Sequence, residues 1–313
     1  MKIFLFVLLS ILLILLVSGG YTFVLACVRR KELPWFSEQE LKKTSYGKYY
    51  PNILASDKWL KDHNAQDIYL VSHDGLKLHA FWISKENAKG TIILAHGYRS
   101  TPLVDFSGAF ASYYSKGLNV MVINQRAHGE SEGKYITFGV KESEDLKQWI
   151  NYHNAHFGNQ EIILSGMSMG ASTVLYLADQ ELPSNVKGII ADCGYSSPKA
   201  IISKVFREAV HLPAWTCIWA ADLFARIVAG FSFSQKDTLR SLAASKLPVL
   251  MVHGKADDFV PCTMSEEGYR VCTSSKKLLL VEGAGHGVSY VVDKQTYSQY
   301  INDFLAENLE EFP

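Results

Sequence analysis

The chain carries no excess of charge: 31 lysines and arginines balance 31 aspartates and glutamates over 313 residues. No basic stripe is present either, and the two absences together argue against nucleic acid as a partner. The five cysteines, Cys27, Cys193, Cys217, Cys262 and Cys272, form no Cys-x-x-Cys pair and have no histidine at a zinc-like spacing. An odd, unpatterned set reads as small apolar residues in a reducing compartment. No metal and no organic cofactor is implied. Internal repeats and low-complexity linkers are also missing, which leaves a chain long enough for one large core with an insertion.

Charge is absent from one long stretch. Ile3 to Val28 has no charged residue and is mostly Leu, Ile, Val and Phe. About 20 apolar residues cross the hydrocarbon core as a helix. A cleaved signal peptide has a shorter apolar centre, about 7–15 residues, and a small-x-small cleavage site; neither is evident. Val24 to Cys27 faintly resembles a lipoprotein cleavage box, but the apolar run before it is long for that role. Residues 1–28 are therefore expected to be an uncleaved single-pass anchor, with the membrane as partner. Arg29, Arg30 and Lys31 follow the span, then Lys42 and Lys43, while only Lys2 precedes it. The positive-inside rule then places the rest of the chain in the cytoplasm.

Residues 29–66 are polar and aromatic without a clear period and read as a connector. From there to residue 313 short apolar runs alternate with helix-compatible segments, so a mainly parallel sheet covered on both faces is expected. Asp67 to Val71 and Leu76 to Ile83 form a hairpin across His73-Asp74-Gly75. Further strands are expected at Thr91–Ala95, Asn119–Ile123, Ile162–Ser165, Gly188–Ala191, Pro248–Val252 and Lys277–Val281. Helices are expected around Phe106–Ser115, Glu142–His153 and Tyr297–Leu309. Residues 197–245 break the alternation with helical sequence carrying Trp215, Trp219 and Phe224. An insertion there would lie over the carboxyl ends of the strands, where open sheets bind ligands. Its aromatics either line an apolar pocket for an acyl chain, pack the lid onto the body, or touch the bilayer.

The chemistry is concentrated in Ser165-Gly-Met-Ser-Met-Gly-Ala171, directly after the run Glu161-Ile-Ile-Leu164. A serine with glycine two residues away on each side, leaving a strand, is the pattern of a nucleophile elbow. The sharp strand-to-helix turn strains Ser168 and lifts its hydroxyl clear of the sheet. Serine needs a base, and His286 lies in the flexible loop Glu282-Gly-Ala-Gly-His-Gly287 after the last strand. An acid should orient that imidazole. Asp257, in His253-Gly-Lys-Ala-Asp-Asp-Phe-Val-Pro261, follows the penultimate strand and fits; its neighbour Asp258 competes. Asp192 also follows a strand and is given a turn or structural hydrogen bond. His96, His128 and His253 each precede a glycine and are given structural roles. The oxyanion hole would use the main-chain amides of Met169, after the nucleophile, and Tyr98, after His96-Gly97.

These residues resemble the α/β-hydrolase superfamily from about Asp67 to the end of the chain, with the order Ser168, Asp257, His286. Asn124-Gln-Arg-Ala-His-Gly-Glu-Ser-Glu-Gly133 and Tyr135-Ile-Thr-Phe-Gly139 are similar to the serine aminopeptidase-like and lysophospholipase-like branch. Ala191-Asp-Cys-Gly-Tyr195 and the anchor are similar to a bacterial group of membrane-tethered hydrolases. That family has aspartate at the place of Asn124 and glycine at that of Ala127. The resemblance implies a serine hydrolase acting on small-molecule esters, lipid-like or otherwise acylated. Peptide or amide cleavage and acyl transfer are the alternatives on the same triad, and a non-catalytic membrane scaffold is the alternative outside catalysis.

Overall fold

The computed structural model describes residues 1–30, 47, 50–310 and 312. Much of the expected connector, with Lys31, Lys42 and Lys43, lies outside the described residues. Helix α1 (Lys2–Cys27) opens the chain, and α2 (Tyr50–Asp62) precedes the sheet.

Eight strands follow: β1 (Gln66–Val71), β2 (Lys77–Ile83), β3 (Thr91–Ala95), β4 (Asn119–Ile123), β5 (Ile162–Met167), β6 (Val186–Asp192), β7 (Val249–Gly254) and β8 (Lys276–Val281). They form one sheet in the order β1-β2-β4-β3-β5-β6-β7-β8. β1 and β2 pair antiparallel, β2 meets β4 antiparallel, and every pair from β3 onward is parallel. β3, β4 and β7 are buried along their whole length, which is why they read as unbroken apolar runs instead of alternating ones.

Successive side chains of each strand point to opposite faces, and the core divides accordingly. Ile92, Leu94, Val120 and Val122 pack with Phe110 and Phe304 on one face. Ile93, Ala95, Met121 and Ile123 pack with Trp149 and Val174 on the other. Helices α3 (Pro102–Asp105) and α4 (Ala109–Ser115) lie between β3 and β4, α5 (Val140–Phe157) between β4 and β5, and α6 (Met169–Leu175) between β5 and β6. The short α3 precedes α4, which is the helix expected around 106–115. Thr101 Oγ1 caps the first, with a proline in its opening turn, and Gly108 at φ +83° breaks the chain before the second.

Between β6 and β7 lie α7 (Pro198–Val210), α8 (Trp215–Phe224), a π-helical turn (Ala225–Ala229) and α9 (Thr238–Ala243). Ser197 and Asp237 cap α7 and α9. The chain closes with α10 (Thr263–Val271), α11 (Ser289–Val292) and α12 (Lys294–Asn308). A third apolar cluster joins Phe23 and Cys27 of α1 to Ile218, Ala221 and Ala225 of the insertion and to Phe138 and Met169 of the body. The apolar amino-terminal helix is therefore partly docked on the domain it precedes.

Candidate active site

β5 runs into α6 through Ser168, which sits at φ +55° and ψ −114°. A side chain at positive φ is strained, and here the geometry is held from both sides. The Ser168 amide donates to the Asp192 carbonyl at 2.8 Å. A Cβ on Gly166 would lie 2.1 Å from the Gly170 carbonyl oxygen, and one on Gly170 would lie 1.8 Å from that of Ala95. The elbow closes only because both flanking residues are glycine. Gly170→Ala should cost at least about 3 kcal/mol through this overlap, lowering the melting temperature in detergent by roughly 6–12 °C; a melt unchanged within error would contradict it.

The described residues bring Ser168, His286 and Asp257 together. His286 Nε2 lies 2.9 Å from Ser168 Oγ, and His286 Nδ1 lies 2.7 Å from Asp257 Oδ2. Asp257 Oδ1 accepts the amides of Phe259 at 3.0 Å and Val260 at 2.8 Å. His253, fully buried, stands with Nε2 3.2 Å from Asp257 Oδ2 and 2.8 Å from the Val260 carbonyl. Burial pushes the Asp257 carboxyl up, but the hydrogen bonds from His253 and His286, the imidazole charge and the Val260 amide outweigh it. They hold the group well below the ordinary carboxylate range. Asp258, by contrast, is exposed, and its carbonyl receives Lys204 Nζ at 2.7 Å.

Tyr98 and Met169 bring their amides to the same end of the sheet. Neither amide donates a hydrogen bond among the described residues. Gly97 packs against the nucleophile so closely that a Cβ there would sit 3.2 Å from Ser168 Cβ. The loop is clamped by Asp105, whose carboxylate accepts the Gly97 amide and the Ser100 hydroxyl, each at 2.5 Å. His128 Nε2 accepts the Arg99 amide at 2.9 Å while Nδ1 meets the Arg126 carbonyl at 2.9 Å. His96 Nδ1 meets the Gly97 carbonyl at 2.8 Å. Burial lowers His96 to about 4 and holds His128 well below the ordinary imidazole value, so both are neutral near pH 7 and serve as backbone clamps. Nothing in the sequence marks Asp105. It lies eight residues beyond Gly97 and reaches back only because α3 turns it inward.

The loop is also tied to α1. The Tyr98 hydroxyl donates to the Ala26 carbonyl at 2.7 Å, and Arg99 donates to those of Leu25 at 2.7 Å and Val28 at 3.1 Å.

A cavity of about 540 Å³ opens at Ser168, lined among others by Tyr98, Asp105, Tyr113, Asp192, His286 and Tyr297. Trp215, Trp219 and Phe224 do not line it. Trp215 is 73% exposed and Trp219 43% exposed, beside a separate surface groove, while the Phe224 ring packs on Gly20 and stacks on Phe23. The insertion's inner apolar face packs on α1 through Ile218, Ala221 and Ala225. Of the three roles expected for these aromatics, packing onto protein is the one Phe224 takes, and the substrate role finds no support at Trp215 and Trp219, which lie outside the Ser168 cavity.

Asp192 makes its structural hydrogen bond through the main chain, by accepting the Ser168 amide; its carboxylate does something else. Its side chain is buried in the cavity wall, and neither carboxylate oxygen has a hydrogen-bond partner among the described residues. Burial raises the carboxyl to about 6 against the pull of His253; the Tyr297 hydroxyl stands beside it without completing a hydrogen bond. A folded-state value above the ordinary one makes the stability contribution full below about pH 4 and lost as pH rises through about 6. Asp192→Asn should therefore gain up to about 3 kcal/mol at pH 8 and nothing at pH 4. Paired melts at the two pH values check this, and equal gains at both would refute it.

Residues 90–218 match the family model described as alpha/beta hydrolase fold, and residues 224–310 match that of TAP-like proteins. This chain belongs to the α/β-hydrolase superfamily. An uncharacterised Bacillus subtilis protein, YqkD, is 27% identical over 232 residues, which cover 74% of this α/β-hydrolase and 76% of YqkD. A Saccharomyces cerevisiae protein described as an uncharacterised membrane protein is 24% identical, over 77% of this chain and 80% of its own. The solved structure of a Pyrococcus furiosus esterase superposes with a TM-score of 0.64 at 24% identity, covering 80% of this chain and 95% of that one. At that identity the likeness is one of fold.

Proposed function

We propose that this α/β-hydrolase is a membrane-anchored serine hydrolase that cleaves carboxylic esters through an acyl-enzyme. The observation that carries the reading is the continuous hydrogen-bonded chain Ser168 Oγ, His286 and Asp257, beside two amides with no acceptor among the described residues. His286 Nε2 takes the hydroxyl proton as Ser168 Oγ attacks the ester carbonyl. Asp257 holds the imidazole by Nδ1–H and offsets its positive charge. The developing oxyanion is received by the amides of Tyr98 and Met169, each worth about 2.7–4 kcal/mol in the barrier. The protonated imidazole then gives its proton to the departing alcohol, and a water repeats the sequence to free the acid. That the P. furiosus neighbour is an esterase supports ester chemistry, as does the similarity of the 124–139 loop to lysophospholipase-like proteins.

In this reading α1, long and apolar enough to cross a membrane, is the single anchor, with Arg29 and Arg30 beyond it on the cytoplasmic side. Residues 67–313 form the catalytic domain, and about 197–245 its lid. The test pairs labelling by a fluorophosphonate with turnover of short-chain nitrophenyl esters against matched aminoacyl amides. Ester turnover that exceeds amide turnover, with label on Ser168, is expected. Folded protein that takes no label would favour a scaffold, and amide turnover in excess would favour a peptidase.

A further inference from the structure

The carboxyl-terminal half of α1 is not free to be surrounded by lipid. A Cβ on Gly19 would lie 2.3 Å from that of Ala220, Gly20 backs onto the Phe224 ring, and Thr22 Oγ1 lies 3.7 Å from Cys217 Sγ. Small residues that let two backbones approach are how helices pack within a membrane. Gly19 meeting Ala220 and Thr22 meeting Cys217 make the two helices antiparallel.

Length then fixes depth. The free part of α1, Ile3 to Val17, spans about 22 Å at 1.5 Å per residue. A hydrocarbon core is about 30 Å thick. The remaining apolar depth falls on the turns that carry Gly19 to Phe23, and α8 lies alongside those turns. The exposed face of this segment is apolar: Trp215, Trp219, Leu223 and Ile227 recur every fourth residue as one ridge, and all are at least 40% exposed. Val228 joins them at 45% exposed. Because the helices run antiparallel, Leu223, Ile227 and Val228 lie toward the membrane interior. Trp215 and Trp219 lie toward the level at which the chain leaves it, where indole rings settle. The charge on this segment is paired, Arg226 with Asp222 at 2.8 Å.

We propose that α8 and the turn after it lie in the phospholipid interface beside the anchor, and that the site takes its ester from that leaflet. The cavity rim supports the second clause. Tyr98 lines the cavity and hydrogen-bonds the last turn of α1, so one wall of the site is continuous with the segment that emerges from the leaflet. The substrate clause rests on the ester-hydrolase reading; the interface clause does not.

The full-length chain in phosphatidylcholine vesicles tests both. With lipids brominated near the headgroup end of the acyl chain, Trp215→Phe/Trp219→Phe should remove at least half of the quenchable tryptophan emission. Unchanged quenching overturns the interface. Ile227→Asp should lower turnover of a long-chain ester carried in the vesicles about 10-fold, while a water-soluble short-chain ester changes less than 2-fold. Equal loss on both esters, or no loss on either, overturns the leaflet route. A wild-type protein that hydrolyses neither ester but shows the quenching sinks the ester reading alone.

Discussion

Ser168→Ala should lower kcat on a short-chain nitrophenyl ester by about 10⁴–10⁶ while leaving the protein folded. Among the described side chains the hydroxyl has one partner, His286 Nε2 at 2.9 Å. Its loss therefore removes a nucleophile without stranding a buried donor or acceptor. The backbone strain at φ +55° is common to serine and alanine, so the elbow keeps its shape and the melt should move by no more than a few degrees. His286→Ala should cost about as much, and the double variant little more than either alone, because the two groups act as one unit. Residual turnover over water would come from the Tyr98 and Met169 amides and from binding. A Ser168→Ala protein within 10-fold of wild type would end the mechanism.

The elbow could be read before any coordinates because its constraint is local. Two glycines, a serine and a preceding apolar run specify a turn whose steric limits are set within five residues. The order of Ser168, Asp257 and His286 was equally legible, since each follows a strand and parallel strands end on the same rim. The expected strands matched the observed ones to within two or three residues for the same reason. What stayed open depended on contacts between distant segments. Trp215, Trp219 and Phe224 carry an apolar signal that is the same whether the partner is substrate, lipid or protein. Only the docking of α1 through Gly19 and Gly20 decides between them. The apolar amino-terminal helix could be read in the sequence as a candidate span and nothing more, yet carbonyls at its end are acceptors for Tyr98 and Arg99. A hydrogen bond across more than 70 residues leaves no periodicity to detect. Asp105 and the unpartnered carboxylate of Asp192 were missed on the same ground: a carboxylate after a strand or in a short helix has no pattern of its own.

Asp257→Asn should reduce kcat about 10³–10⁴-fold with KM little changed. The carboxylate sits among four donors: the Phe259 and Val260 amides on Oδ1, and His286 with His253 on Oδ2. An ionised carboxylate has acceptor sites for all of them, and its depressed pKa keeps it ionised across the working range. Asparagine offers one acceptor oxygen and a donating NH₂. If the oxygen stays with the two amides, the NH₂ faces His286 Nδ1, which must then accept. The imidazole proton moves to Nε2 and points at Ser168 Oγ, so the ring can no longer take the hydroxyl proton. Asp257 is buried and does not line the cavity, which is why the loss should appear in kcat. Asp258→Asn is the control, since that residue lines the cavity but is exposed and touches none of the three groups; its kcat should stay within 2-fold. Should the Asp258 change produce the large loss and the Asp257 change the small one, the acid has been assigned to the wrong neighbour.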